Sequence, residues 1–508
     1  MKIGIVWFRK IIRLHDNNVL TKAIKSKNID CILPIYILGD RQRSKNQKIF
    51  LYQALSDLNT KLKKKYSSRL IVFNGKPIDI FKNIQKTLGS NIKEIFWDYA
   101  SEAKENSSEI VKKYSKKWKF HIVPKVSTIL DIENTISHKK YKPPKSMKEI
   151  ELVFDRVLGK SKDGFYNVEK PLTVPKKIKP LPKFIDKKVF TKEINLSNKI
   201  QKYKSEMNSY FIGGETEALK RLQKKVERNY TYVNKFRKPM TISTNSENNP
   251  MEPTTTGLSP YISFGCLSIR RFWSECLECY RKGPHTMPPE SLHGQLLFRE
   301  MFYLLSRSVE NWDKNVGNIM CKEIDWEQYN TEKMEKWEKG ITGFPYIDAM
   351  MRQLDKTGWM HHLGRHAVAC FLTRGQLWQN WIYGRDVFEK KLLDSDWALN
   401  NANWLWLSGV APFSMPYFRL YNPCPDKRSS LNVETKTTEF IKFWIPELKH
   451  FPARYVYEPH LAPISVQLEA KCVVGKDYPM PMVNRKEASK ENLAKFKISL
   501  EKLKKARH

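Results

Sequence analysis

The residue types best suited to proton chemistry lie in one short segment, Gly358–Phe371. His362 and His366 are four residues apart, so on a helix their rings share a face. Arg365 adds a guanidinium on the neighbouring flank. Two imidazoles beside a cation at the start of an apolar helix indicate proton transfer next to an anionic ligand. The alternative is that both histidines are buried in the core with their hydrogen bonds made. A pair of zinc ligands is disfavoured because Leu363 replaces the glutamate of HExxH.

Hydroxyl groups cluster in Thr254–Ser259, just before a helical run. Side-chain oxygens and free backbone N–H groups at such a point can hold a phosphate. An ordinary helix cap would explain one of these hydroxyls but not all of them. Arg299, beside Glu300, is either a counter-ion for that phosphate or one half of an ion pair.

Two carboxylates, Asp394 and Asp396, fall in an otherwise apolar context. Burying them without partners is costly, so they should accept hydrogen bonds or face a cation. Asn400, Asn401 and Asn403 follow, in a tryptophan-rich run. Neutral amides packed on tryptophans suit the edge of a heteroaromatic ring, whereas a polar cap before an apolar helix is the alternative.

Tryptophans form a further pattern. Trp378 and Trp381 are three residues apart, which predicts one helix face, while Trp326, Trp404 and Trp406 lie on other segments. Core packing is the ordinary interpretation because aromatic side chains bury large areas. A redox role is the alternative.

Composition favours a polyanionic partner. The 508 residues contain 90 Lys and Arg against 53 Asp and Glu, a formal charge of +37. Such an excess is typical of nucleic-acid binding, although the Lys and Asn content of an AT-rich genome would also produce it. Eight cysteines, with Cys276 and Cys279 as the one CxxC pair, indicate neither a disulfide framework nor a metal cluster. Without a signal peptide or an apolar run of ~18 residues, we expect a soluble intracellular protein with no membrane contact.

Alternating short apolar runs and amphipathic stretches fill the first 130 residues. This pattern predicts a doubly wound, Rossmann-like parallel sheet, without the GxGxxG of dinucleotide binding. Gln47–Lys65 is one predicted helix. The predicted buried strands are Ile3–Phe8, Cys31–Leu38, Leu70–Phe73 and Ile95–Trp97.

The chain divides into three parts by composition. After the α/β domain, 1–130, the segment 131–200 is rich in Lys and Pro and reads as a basic linker. From 201 to 508 the pattern is helical, ending in a Lys-rich helix within Glu487–His508. The predicted fold is therefore an α/β domain joined by a long linker to an all-α domain.

Several motifs in this order resemble the photolyase/cryptochrome family, and within it the branch of (6-4) photolyases and animal cryptochromes. The resemblance runs nearly end to end. The matching segments are Trp7–Lys10 with Leu14–Asn17, Gly213–Leu219, Thr255–Tyr261 with Phe264–Gly265, Thr342–Pro345 with Ile347–Ala349, Trp359–Gly375 and Pro479–Asn484.

The resemblance implies that the helical domain binds FAD. Arg365 and Asp394 would bracket the isoalloxazine, Asp396 would contact its polar edge, and Asn400, the choice typical of repair enzymes, would face N5. The other FAD contacts that it implies are Lys238, Thr255, Thr256, Gly257, Leu258, Ser259, Gln295, Arg299 and His362. Trp404, Trp381, Trp326 and Trp378 match the family's electron-hopping chain. A folate or deazaflavin antenna in the first domain is possible in this family, and no residue pattern selects one.

The two histidines distinguish the branches, because cyclobutane-dimer photolyases have other residues at both positions. Reversal of a (6-4) adduct returns a hydroxyl or amine from one base to the other, which needs a positioned acid. We expect His362 to donate the proton and His366 to orient it, in a monomer acting on UV-damaged DNA, in the nucleus if the source is eukaryotic.

The resemblance also implies a pocket for the damaged dinucleotide, which must leave the duplex. Its lining would be Lys238, Gln295, Phe298, Trp406, Arg419 and Tyr421. Phe298 departs from the family's usual tryptophan and so stacks less strongly. The alternatives are a cryptochrome that does not repair, which the lack of a tail after His508 disfavours, and a cyclobutane-dimer photolyase.

Overall fold

The computed structural model describes residues 1–39, 41–100, 102, 108–186, 190, 192–203, 210–246 and 248–506. Within them the chain forms two compact units, which are described separately. The first contains Met1–Met207, Phe211–Phe236 and Leu258–Arg307, and the second contains Asn208–Tyr210, Arg237–Gly257 and Ser308–His508. No described helix is long and apolar enough to cross a membrane.

A five-stranded parallel sheet, in the order β3-β2-β1-β4-β5, forms the centre of the first unit. Every residue of β1, β2 and β3 is buried, which explains why these strands read as unbroken apolar runs rather than alternating ones. The parallel sheet confirms the predicted fold class. The strands are β1 Ile3–Trp7, β2 Cys31–Ile37, β3 Ile71–Phe73, β4 Ile92–Asp98 and β5 Lys119–Val123.

The edge strand β5 was not predicted. Among the described strands it pairs with β4 alone, and of its five residues only Val123 is buried. An edge strand half open to solvent carries polar residues such as Lys119 and His121, so it lacks the apolar run that marks a central strand.

Helices connect the strands and cover the sheet. The longest of them begins at a capping box, in which the Ser44 hydroxyl accepts from the Gln47 N–H and the Gln47 side chain accepts from the Ser44 N–H. The helices up to residue 203 are α1 Asn18–Lys25, α2 Lys45–Tyr66, α3 Pro77–Leu88, α4 Ser108–Tyr114, α5 Ile132–Ile136, α6 Met147–Leu158 and α7 Leu196–Lys202.

The Lys- and Pro-rich segment 131–200 is not structureless. It contains α5 and α6, and parts of it hydrogen-bond to the sheet: Ile194 N–H donates to the carbonyl of Val72, and Ile32 N–H donates to that of Pro180. These backbone bonds hold the segment along the strands.

The remainder of the chain is helical, which confirms the predicted all-α architecture, including the Lys-rich last helix. In the first unit the helices are α8 Glu215–Leu222, α9 Tyr230–Lys235, α10 Ser259–Ser263, α11 Ile269–Tyr280 and, except for its last residue, α12 Leu292–Ser308. In the second unit they are α13 Thr331–Lys339, α14 Pro345–Thr357, α15 His362–Cys370, α16 Trp381–Lys391, α17 Trp397–Leu407, α18 Glu439–Trp444, α19 Ile464–Glu469 and α20 Arg485–Lys505.

A buried charge network ties the N-terminal segment to later helices of the same unit. The Glu215 carboxylate accepts from the backbone N–H groups of Leu14 and His15, at 3.0 and 2.8 Å. Asp16 pairs with Arg270 at 2.6 Å. Leu14–Asn17 and Gly213–Leu219, two of the family motifs, therefore contact each other, and the contact has a structural function.

Candidate functional site

The histidine segment forms α15, as its spacing predicts. His362 is the first helical residue, and the rings of His362 and His366 lie 6.2 Å apart at 82° on one face. Among the described residues, no three His, Cys, Asp or Glu side chains are grouped to hold a metal ion.

His362 presents an uncommitted nitrogen. Its Nε2 atom is buried and has no hydrogen-bond partner in the described part of the chain. Burial, followed by the neighbouring His361 and Lys238, lowers the pKa of His362 well below its ordinary value of 6.5. A neutral ring with an open nitrogen can make a hydrogen bond to a ligand, as donor or acceptor according to its tautomer.

His366 is held by a second aromatic residue. Its Nδ1 atom lies 2.8 Å from the Tyr421 hydroxyl. Burial, with added repulsion from Lys238, lowers the pKa of His366 to about 3, and burial raises that of Tyr421 to about 12. Both groups are therefore neutral at physiological pH, and the hydrogen bond fixes the imidazole plane.

Positive charge collects beside these histidines. Arg365 donates to Asp394 at 2.8 Å, and its Nε donates to the Met360 carbonyl. Lys238 lies half-buried, and burial together with Arg365 lowers its pKa to about 8. The expectation that Asp394 faces a cation is confirmed. Two cations share this site with one paired carboxylate, a balance that favours an anionic ligand.

Asp396 begins α17 as its N-cap, and its carboxylate accepts from the N–H groups of Ala398 and Leu399 at 3.0 and 3.3 Å. The expectation that it accepts hydrogen bonds is confirmed, and the cap interpretation accounts for them. Asn400, one turn later, is buried and donates to the Arg385 carbonyl at 3.0 Å.

The hydroxyl cluster spans the two units. In the second unit, Thr254 donates to the Ile242 carbonyl at 2.8 Å, while the hydroxyls of Thr255 and Thr256 make no hydrogen bond among the described residues. Gly257 follows with a φ of 62°, a left-handed conformation that glycine adopts at little cost. In the first unit, Leu258 is buried and Ser259 is the first residue of α10.

Three candidate residues lie on α12, in the first unit. Gln295 donates to the Pro289 carbonyl at 2.8 Å, and the Phe298 ring lies 6.3 Å from that of Phe302. The buried Arg299 pairs with Glu300 at 3.3 Å, which is the ion-pair alternative considered above.

The tryptophans occupy two settings within the second unit. Trp326 and Trp378 have ring centroids 4.8 Å apart. Trp404 and Trp381 are fully buried on neighbouring helices, where the indole N–H of Trp381 donates to Asn315 at 3.2 Å.

The prediction that Trp378 and Trp381 share a helix face is wrong. Asn380 caps α16, so the helix begins only at Trp381. Trp378 lies in the preceding turn with a φ of 56°. The Asn380 cap is a visible signal of this boundary, because asparagine is among the residues most favoured before a helix.

The segment after α17 carries Arg419 and Tyr421. Arg374, which is buried, donates to the backbone carbonyls of Tyr417 and Arg419 at 2.6 and 2.9 Å. The Arg419 side chain is exposed, and Trp406 is half-buried. Arg374 lies within a recognised motif, yet nothing in its local sequence indicated that it anchors this distant segment.

Comparison with known proteins agrees with the fold. A family model described as DNA photolyase matches residues 4–153, and one described as the FAD binding domain of DNA photolyase matches 291–498. Cryptochrome-1 of Erithacus rubecula is 37% identical over 512 residues, covering 97% of this chain and 77% of that protein. Cryptochrome-2 of Gallus gallus is 37% identical over 510 residues, covering 97% and 82%.

Solved structures show the same fold. A class III photolyase from Agrobacterium tumefaciens superposes with a TM-score of 0.78 at 23% identity, over 99% of this chain and 98% of that one. A cryptochrome from Synechocystis sp. PCC6803 gives a TM-score of 0.78 at 23% identity, over 97% and 99%. The chain is thus a two-part flavoprotein with a photolyase-type FAD-binding domain. It belongs to the photolyase/cryptochrome family.

The side chains around α15 fit FAD. Lys238 and Arg365 supply positive charge for an anionic ligand, and the open Nε2 of His362 supplies a hydrogen-bonding atom. The uncommitted hydroxyls of Thr255 and Thr256 suit phosphate oxygens. Arg365 is already paired with Asp394, whereas Nε2 of His362 and the hydroxyls of Thr255 and Thr256 have no hydrogen-bond partner among the described residues and are open to a polar ligand.

Proposed function

We propose that this protein is a light-driven DNA repair enzyme that reverses pyrimidine (6-4) pyrimidone photoproducts. The observation that carries the proposal is the pair His362 and His366 on one face of α15, with the open Nε2 of His362 beside the cations Lys238 and Arg365. Opening a cyclobutane ring needs no proton shuttle, whereas returning a hydroxyl or amine between bases does.

When bound, FAD would supply the light-driven electron that repair requires. Arg365, Asp394, Asp396 and Asn400 would hold its ring system. Hydroxyls of Thr255, Thr256 and Ser259, together with Gly257 and Leu258, would hold its phosphates, and Arg299 would lie near them.

His362 would carry the proton at Nε2 and give it to the leaving hydroxyl or amine. His366, fixed by its hydrogen bond to Tyr421, would orient the reacting group. Both rings are neutral in the protein alone, so the negative charge of the bound lesion must raise the pKa of His362 before the ring can carry the proton that it donates. This is a specific expectation for the complex with DNA.

The DNA partner would be held by the positive charge of the chain, while the unstacked dinucleotide enters the site. Lys238, Gln295, Phe298, Trp406, Arg419 and Tyr421 are the proposed lesion contacts. Trp404, Trp381, Trp326 and Trp378 are the proposed path by which electrons reach the flavin, and the 4.8 Å between the last two rings supports that role.

The test is repair of an oligonucleotide with one (6-4) photoproduct under blue light, by the photoreduced protein and by its His362→Ala variant. We expect light-dependent loss of the adduct that the substitution abolishes while flavin binding persists. A matched oligonucleotide with a cyclobutane dimer identifies the other repair class, for which the substitution should matter little.

A cryptochrome that senses blue light without repairing DNA is the second candidate. It is favoured by the names of the relatives, which are cryptochromes at 37% identity. If the protein binds and photoreduces flavin but leaves both lesions intact, this candidate replaces the first, and Phe298 is the first residue to exchange for tryptophan.

A further inference from the structure

A third histidine joins two segments of the second unit. His361, fully buried, precedes α15, and its Nδ1 accepts the Leu363 N–H at 3.2 Å as the helix cap. Its Nε2 lies 3.0 Å from the Thr241 hydroxyl. That hydroxyl is also 3.1 Å from the carbonyl of Lys238, the first residue of a short 3-10 turn, Lys238–Met240.

The direction of each hydrogen bond in this chain follows from the cap. Because Nδ1 of His361 accepts a backbone N–H, it carries no proton, so the neutral ring holds its proton on Nε2. Nε2–H therefore donates to Thr241, and the Thr241 hydroxyl donates its own proton to the Lys238 carbonyl. Burial, with Arg365 and His366 nearby, lowers the pKa of His361 to about 3, which keeps the ring in this one form.

The turn is also fixed from its other side. Asn432 donates from its side-chain amide to the carbonyls of Pro239 and Thr241, and its own carbonyl accepts the Ser243 N–H at 3.0 Å. Thr241 is thus the point at which the turn connects to α15.

We propose that His361 is a positioning residue that, through Thr241, holds the turn bearing Lys238 against the start of α15, beside the His362 ring. This inference rests on the proposed function for its catalytic meaning, but the tether itself involves neither DNA nor light. The rings of His361 and His362 are 4.3 Å apart, so the tether and the proposed proton donor are adjacent. The other charged or titratable groups that act on His362 are Lys238, His366 and Arg365.

The tether matters because a cation close to an imidazole disfavours its protonated form. If the turn loses its bond to His361, Asn432 still holds its other side, but the Lys238 ammonium can move away from His362, and His362 should protonate more readily. A loss of one ordinary hydrogen bond changes a local equilibrium by about fivefold, which corresponds to a shift of roughly 0.5–1 pH unit for a coupled group.

The experiment compares wild type, Thr241→Val and Thr241→Ser in the flavin-loaded protein without DNA. The NMR titration of His362 is followed with histidine labelled at Cε1 and assigned through His362→Gln. We expect Thr241→Val to raise the midpoint of His362 by about 0.5–1 pH unit, and Thr241→Ser, which keeps the hydroxyl, to leave it at the wild-type value. His361→Asn serves as a second variant, because asparagine keeps the helix cap but cannot reach Thr241.

Equal His362 midpoints in wild type and Thr241→Val would overturn the proposal, even if the variant is less stable. A shift in His361→Asn alone would not restore it, because His361 itself acts on the pKa of His362. Repair of the (6-4) oligonucleotide is measured in parallel. Absence of repair by wild type, together with the expected midpoint shift, would reject the proposed function and leave the tether standing. If the His362 midpoint is unshifted in Thr241→Val and wild type repairs the oligonucleotide, the tether is rejected and the proposed function stands.

Discussion

Substituting Gly384 with alanine should displace Trp404, the first residue of the proposed electron path. Gly384 lies in α16, and a Cβ there would be 2.5 Å from Cζ3 of Trp404, with Cη2 closer still, and 2.6 Å from Cδ2 of Leu372. The indole is fully buried, with the Phe388 ring 5.0 Å away, so it cannot swing into solvent.

Overpacking of this kind costs roughly 1–3 kcal/mol, and the gain in helix propensity from glycine to alanine returns about 1 kcal/mol. We therefore expect Gly384→Ala to lower the free energy of unfolding by up to about 2 kcal/mol in urea titrations. Because the indole must shift, the rate of flavin photoreduction in the same variant should also fall. Lys390→Ala, at an exposed position of α16, is the matched control and should change neither quantity. Unchanged stability and photoreduction in Gly384→Ala would refute the rigid packing inferred here.

Three further predictions test the site and its surroundings. Tyr421→Phe removes the hydrogen bond to His366, so repair per absorbed photon should fall by about fivefold with flavin occupancy unchanged, as measured by absorbance and product analysis. Asp394→Asn leaves Arg365 without its carboxylate, so flavin should bind about tenfold more weakly in an occupancy titration, and equal affinity would contradict the assigned pair. Burial lowers the pKa of His293 to about 3, whereas an unfolded histidine binds a proton below about 6.5, so stability should decrease as pH falls from 6.5 toward 3. Urea titrations across that range should show a smaller decrease for His293→Phe, which keeps an aromatic ring.

The sheet could be predicted from sequence wherever burial made a strand uniformly apolar. β1 and β2 were found for this reason, and α15 was found because the spacing of its histidines matches a helix. β5 was missed because its residues are largely exposed and polar, whereas β3, at the other edge of the sheet, is fully buried and apolar. A strand buried on both faces gives a continuous apolar run, which is easier to recognise in a sequence than a largely exposed strand at the edge of a sheet.

Contacts between residues far apart in the chain could not be predicted from local sequence patterns. The bond between Thr241 and His361 joins positions 120 residues apart, and that between His366 and Tyr421 joins positions 55 apart. Tyr421 could be named through resemblance, but its hydrogen-bond partner could not. Trp378 was misplaced because a three-residue spacing suggests a helix even where a cap interrupts it.

The buried charges of the first unit have a consequence for how the chain is made. Asp16 leaves the ribosome early, yet its partner Arg270 follows 254 residues later. At a synthesis rate of about 5–20 residues per second, the wait is roughly 13–50 s. During that interval Asp16 has Arg13 nearby but not the Arg270 guanidinium with which it pairs. The part of the nascent domain around Asp16 should therefore remain accessible to chaperones until α11, which carries Arg270, has emerged from the ribosome.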